Sequence, residues 1–275
     1  ELAADEVAFC GFAGHGVRKN GAASIIAVDM KNTPAPSVPS SADTTTPLAG
    51  FQYSRSRFEE VVDLALSHAK RLGAGDAAAE VSEGAGLNVS VRKGELENVE
   101  RNRDKSLGVT VYLGQKRGNA STSDFSPEAV RQTVQAAYDI ARFTAEDPVA
   151  GLPDPQDIAD SYRDLDLFHP WAITSGEAVR IALACEHAAM ATSKKISNSE
   201  GASVSAQQSH FFSAQMRGGE RGKPGIFSGG YASSRHSLSV APIAGKGAHM
   251  QRDYWYSSTR APQDLASPDA VGRYA

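Results

Sequence analysis

The run from Glu80 to Ser123 constrains the fold more than any other part of the chain. Leu87, Val89 and Val91 alternate with Asn88 and Ser90. Leu107, Val109, Val111 and Leu113 alternate with Gly108, Thr110 and Tyr112. A period of two sorts side chains onto opposite faces of a strand, so one face is buried and the other is wet. Lys93-Gly94 reads as a tight turn, Leu96 and Val99 resume the pattern, and Gly114 and Gly118 bracket a second turn. The segment is predicted to be an antiparallel meander.

A sheet with one apolar face needs a cover, and helical periodicity flanks the meander. Ser56 is expected to cap a helix running to Leu72, with Phe58, Val61, Val62, Ala65, Leu66, Ala69 and Leu72 on its apolar side and Gly73 as its stop. Ser126-Pro127-Glu128 opens a second helix, running to about 145 and carrying Val130, Val134, Ala137, Ile140 and Ala141. Thr174 with Glu177 forms a capping box for a third, ending near Lys194. Strands are expected at 202–215, 234–244 and 249–257, with a glycine-rich loop from Gly218 to Gly230 joining the first two. The fold class is therefore α+β: an antiparallel meander packed on helices, then a second helix-plus-antiparallel-strand region.

The chain divides into three parts on this reading. Residues 1–50 form a disordered leader, because Pro34, Pro36, Pro39 and Pro47 forbid a helix and the apolar content is too low for a core. Met30 is the expected natural start, with 1–29 as upstream sequence. Residues 51–160 form an N-terminal α+β domain, and 161–275 begin a further α+β region. Ser267-Pro268-Asp269 starts a helix that has barely two turns before Ala275, so the polypeptide is expected to be cut short.

Charge and cysteine count narrow the function. With 28 basic and 32 acidic side chains the net charge is −4, which gives no electrostatic footprint for general nucleic-acid binding. The 2 cysteines exclude a disulfide scaffold and a four-cysteine zinc site. No apolar run reaches the ~20 residues of a membrane helix. The acidic start Glu1–Glu6 is unlike a signal peptide, so the expected compartment is the cytoplasm.

No strong catalytic motif stands out. The seven histidines include no His-Glu-x-x-His pair, and position i+4 from His187 is Ala191. Gly218 to Gly230 lacks the Gly-Lys-Ser/Thr ending of a phosphate loop. Ser234 and His236 share a strand face, but no oxyanion hole or orienting acid accompanies them. Cys185 sits in an apolar helix and reads as core. Catalytic and metal-ligating residues are thus expected to be absent from this chain.

Arg235 and Asp253 are the candidate substrate- or partner-facing residues. A turn centred near Lys246 would place Ser239 opposite Asp253 and Leu238 opposite Tyr254. Arg235 would then share a polar face with Asp253, while His236 packs inward.

Several runs in order carry a family resemblance. They are Leu87-Asn-Val-Ser-Val-Arg-Lys-Gly94, Asn102-Arg-Asp104 with Leu107-Gly-Val-Thr-Val-Tyr112, and Ala120-Ser-Thr-Ser-Asp124 with Ser126-Pro127. Asp164-Leu-Asp-Leu-Phe-His-Pro170, Asn198-Ser-Glu-Gly201, Ser234-Arg-His-Ser-Leu238 and Arg252-Asp-Tyr254 complete the set. Together these runs resemble the TldD/TldE family, and the TldE (PmbA) branch in particular, over about residues 51–275 and only the N-terminal half of a family member. It implies a subunit of a cytoplasmic heterodimeric metalloprotease that acts on unfolded or flexible peptides. It also implies a TldD-like partner that carries the zinc, leaving no cofactor in this chain. An older label for the family, modulator of DNA gyrase, supplies the alternative of a topoisomerase-associated regulator without protease activity.

Overall fold

The computed structural model describes Leu48 and residues 50–275 except Asp160. Apart from Leu48, whose N–H bonds the Ile173 carbonyl at 3.0 Å, and Gly50, the expected leader, with Met30 and residues 1–29, lies outside the described residues. The described chain runs α1 (Arg55–Arg71), β1 (Asp76–Arg92), β2 (Glu95–Leu113), β3 (Lys116–Thr122), α2 (Pro127–Phe143), α3 (Ser175–Ala191), β4 (Ile196–Met216), β5 (Ser228–Gly229), β6 (Ala232–Ala244), β7 (Gln251–Arg252), β8 (Trp255–Thr259) and α4 (Pro268–Tyr274).

The class is α+β as expected, and the meander is β1, β2 and β3. Lys93 and Gly94 both take positive φ, of 55° and 77°, which gives the two-residue hairpin the twist its strands need. The first cap differs: Ser54, not Ser56, accepts from the Arg57 N–H, so α1 begins two residues early. Ser126, Thr174 and Ser267 cap α2, α3 and α4, and Thr174 with Glu177 makes the expected capping box. Ile140 is half exposed rather than buried, and Thr133 takes a place on the buried side of α2.

Gly118 is not a turn residue but lies within β3, opposite Val111. A Cβ there would collide with the Ala137 carbonyl and the Ala141 N–H, so glycine lets α2 lie directly on the sheet.

One antiparallel sheet unites the strands in the order β3-β2-β1-β4-β6-β7, with β5 beside β4 and β8 beside β6. The β1–β4 pairing runs from Ala77 opposite Met216 to Val91 opposite Ala202. The segments before and after residue 160 therefore share a sheet. Along β1 the odd-numbered residues Ala77, Ala79, Val81, Glu83, Ala85, Leu87, Val89 and Val91 all point to the buried face.

Two pairs of helices cover this one face, at opposite ends of the long strands. At one end α1 and α2 enclose Phe58, Leu66, Val81, Leu107, Val109, Val111, Val134 and Met216. At the other α3 and α4 enclose Leu87, Val89, Val91, Val179, Ala182, Val204, Leu238 and Val271. Between the two cores lies a polar belt that includes Glu83, His210, Arg103, Lys105, Gln208, Ser234 and His236. Among the described residues the opposite face carries no helix.

Candidate functional site

The polar belt brings together the buried titratable groups. Glu83 is 1% exposed. Its carboxylate accepts from the Gln52 N–H at 2.8 and 3.0 Å, the Tyr53 N–H at 3.0 Å, and the Arg103 guanidinium. His210 Nε2 lies 3.3 Å away, and its ring is sandwiched between Phe51 and Phe58 at centroid distances of 4.0 and 4.3 Å. Burial pushes the Glu83 carboxyl up. The two backbone donors, then His210 and Arg103, outweigh it and hold the group below the ordinary glutamate range. A carboxylate with this many donors is a fastener, and it fixes segment 50–53 across the sheet.

Glu186 repeats the device at the other core. It is 2% exposed and accepts from the Lys93 and Gly94 N–H groups at 2.9 and 2.8 Å, tying the β1–β2 turn to α3. Next to it, burial and then the Glu186 charge push the Cys185 thiol up to about 12, so it is unreactive.

Ser234 and His236 do not form a nucleophile–base pair. Ser234 Oγ donates to the Arg260 carbonyl at 2.9 Å and accepts from the His169 N–H at 2.8 Å. His236 Nε2 bonds the His169 carbonyl at 2.9 Å, with Trp171 edge-on at 5.4 Å. Both side chains therefore hold the strap Leu167–Trp171 onto β6. His236 is fully buried, and burial is the main cause of its lowered pKa. Among the described residues, no group of three or more His, Cys, Asp or Glu side chains is placed to hold a metal ion.

The helix-free face has a different character. Its residues form cross-strand rows set by the register. One row is Glu100, Asn88, Ser205, Ser237 and Ser258; the next is Asn102, Gly86, Gln207 and Arg235; the next is Asp104, Gly84, Ser209 and Ser233. Apart from Glu100, Asp104 and Arg235 the side chains are short hydroxyls and amides, and β1 contributes none at Gly84 or Gly86. The Gln207 and Asn102 amides fold over Gly86, where a Cβ would strike both. Gly84 stays open, with the Gln208 carbonyl oxygen 3.8 Å from where a Cβ would sit. A hollow of about 270 Å³ results, lined by Gly84, Asn102, Asp104, Ser209, Arg235 and Arg260 among others. A larger hollow of about 490 Å³ further along offers only Glu80 as a charge.

Arg235 is exposed on this face, and His236 and Leu238 point inward, as the alternation requires. The expected approach to Asp253 is not observed. The β6–β8 register sets Ser239 against Tyr256 and Leu238 against Ser257. Arg235 Nε donates instead to Ser258 Oγ at 2.9 Å. Asp253 sits between β7 and β8, where its own N–H bonds the Pro242 carbonyl at 3.3 Å. The cause is the connection: Gly247–His249 forms a short 3-10 turn, which moves the centre of the hairpin past Lys246 and slips the register by an odd number of residues. Gly84, Gln207 and Arg260 were not singled out from sequence, and Asn102 and Asp104 entered only as carriers of the family resemblance. The available signal was two glycines at i and i+2 inside an otherwise regular strand pattern.

The PmbA/TldA metallopeptidase domain 1 family matches residues 77–141. The chain is 44% identical over 225 residues to metalloprotease PmbA of Escherichia coli O157:H7, covering 82% of this chain and 48% of that protein. It is 37% identical over 231 residues to the metalloprotease PmbA homolog of Haemophilus influenzae, covering 84% and 49%. The fold is shared with a Bacteroides thetaiotaomicron protein described as a candidate modulator of DNA gyrase, at a TM-score of 0.65 and 17% identity over 79% of this chain and 48% of that one. It is also shared with TldE of Thermococcus kodakarensis, at 0.61 and 12% over 80% and 46%. The chain spans about half the length of the curated relatives it matches.

Sheet order, one-sided helices and matched relatives place the chain in the PmbA/TldA metallopeptidase class, with residues 77–141 matching the first domain of that class. Within that class the chain belongs to the TldD/TldE family, on the TldE (PmbA) side.

Proposed function

We propose that this chain is the sheet-bearing part of a TldE/PmbA-like subunit of a cytoplasmic heterodimeric metalloprotease that acts on unfolded or flexible peptides. The observation that carries the reading is the 44% identity to a metalloprotease PmbA over 82% of the chain. The catalytic metal belongs to a TldD-like partner, and this subunit contributes surface. Two features of the sheet favour that role. The helix-free face offers hydroxyls and amides that suit main-chain amides. The edge of β2 from Glu95 to Ser106 has no strand neighbour among the described residues, because β3 pairs only with Leu107–Leu113. An extended peptide can add to such an edge through main-chain bonds with little demand on sequence.

The second reading, a regulator associated with DNA gyrase, is favoured by the description of a relative in fold. A net charge of −4 weighs against direct duplex binding. The test mixes the full-length protein with its TldD-like partner and an unfolded substrate, with and without chelator. Chelator-sensitive cleavage that needs both chains supports the protease reading. Duplex binding with a steep salt dependence, and no cleavage, overturns it.

A further inference from the structure

The hollow over Gly84 has opposite charges at its two ends. On the β2 side stands Asp104, in register with Gly84. On the β6 side stand Arg235 and Arg260. The β6–β8 ladder sets Thr259 against His236, so the next residue, Arg260, comes beside Arg235. Two guanidinium groups thus flank one small hollow, and among the described residues neither forms an ion pair. Each is tethered to a neutral oxygen, Arg235 to Ser258 Oγ at 2.9 Å and Arg260 to the Ser234 carbonyl at 3.3 Å. The tethers orient the planar groups, and a guanidinium carries five N–H donors, so others remain for a ligand. Adjacent like charges are relieved by an oxyanion, and a carboxylate matches the guanidinium fork.

The rest of the hollow discriminates among oxyanions. A compact ion such as phosphate would bring its outer oxygens toward Asp104, which repels them. A ligand with a carboxylate at one end and an N–H donor at the other satisfies both ends. The bare backbone at Gly84 lets another main chain lie flat against β1. Ser209 and Ser233, whose hydroxyls are 3.3 Å apart, supply neutral partners along the way.

We propose that this hollow binds the carboxyl end of a short peptide, with the terminal carboxylate on Arg235 and Arg260 and a peptide N–H directed at Asp104. The site suits a subunit that handles peptides, and so deepens the protease reading. It is tested apart from that reading, because binding is measured on this chain without a partner and without cleavage.

The experiment is isothermal titration of the purified chain with an alanine–glycine tetrapeptide in three forms: the free acid, its C-terminal amide and its N-acetylated acid. Sodium acetate and sodium phosphate serve as bare anions. The two acids should bind alike, and the amide should bind at least about tenfold more weakly, since a charge-assisted bond to a guanidinium is lost. Arg235→Gln should weaken the free acid by about tenfold and leave the amide unchanged. Arg260→Gln should act the same way; if it fails to fold, Arg235→Gln decides alone. Equal binding of acid and amide overturns the proposal, and so does no binding of any peptide at millimolar concentration. Phosphate binding as tightly as the peptide acid overturns it in favour of a general anion site.

Discussion

Glu83 and His210 face each other across the β1–β4 ladder, and their side chains meet at 3.3 Å on the buried side of the sheet. The pair sits between the two cores, beside the first turn of α1, whose Phe58 stacks on the His210 ring. The Glu83 carboxylate fixes residues 52 and 53, and the His210 ring fills the space between Phe51 and Phe58.

Glu83→Gln keeps the shape and removes the charge. The amide keeps one accepting oxygen but turns the other into a donor, so Arg103 and His210 lose a charged acceptor and one of them meets an N–H instead. Breaking a buried pair costs ~3–5 kcal/mol, and the partial exposure of Arg103 lowers the expected loss to ~2–3 kcal/mol. Urea unfolding measures it; a loss under ~0.5 kcal/mol would show that the network is already solvated.

The pH response has two limbs with the same sign. His236 is held neutral in the fold by burial, while the unfolded chain takes up a proton near pH ~6.5. The unfolded state binds more protons below that pH, so stability falls as the solution is acidified through it. Glu83 contributes fully above its unfolded value of ~4.3, and its contribution is lost as pH drops from there toward its depressed folded value. The melting temperature should decline gently below pH ~6.5 and steeply below ~4.3. His236→Gln should flatten the first limb only, and an unchanged first limb would assign it to another group.

Val109 lies 2% exposed in the core beneath α1 and α2. Val109→Asp buries an unpaired charge and should abolish cooperative unfolding. A soluble variant with a sharp melting transition would show that this face tolerates water.

Period-two alternation made the meander readable, because Val89, Val91, Val109 and Val111 carry local and global preference in the same direction. The long β1–β4 pairing was not readable, since no short-range pattern links residues so far apart in sequence. Glu83 left a trace: it is the one charged residue at an apolar position of the β1 alternation. Arg235 was readable as facing outward from strand parity alone. Its neighbour was not, because register depends on the loop, and Gly247–His249 adds a turn that glycine spacing did not reveal.

Arg235→Ala removes an exposed side chain whose observed bond is to Ser258. The melting temperature should move by no more than a few degrees, as for surface substitutions generally. Cleavage of an unfolded peptide by the reconstituted pair with a TldD-like subunit should weaken. Unchanged cleavage would make Arg235 ordinary surface.

Zinc analysis of the dialysed chain checks the missing donor set directly. Less than stoichiometric metal is expected. A tightly held equivalent, lost on changing His236 or His249, would require a ligand arrangement different from the one described.

The joining of β1 to β4 also sets a schedule for synthesis. More than one hundred residues separate the end of β1 from the start of β4. At ~5–20 residues per second a ribosome needs on the order of ten seconds to bridge that interval. Until then Leu87, Val89 and Val91 have β2 beside them but lack both the α3 cover and the β4 neighbour. The nascent chain must therefore carry a half-built sheet through that wait, with the β4-side edge of β1 unpaired until β4 emerges.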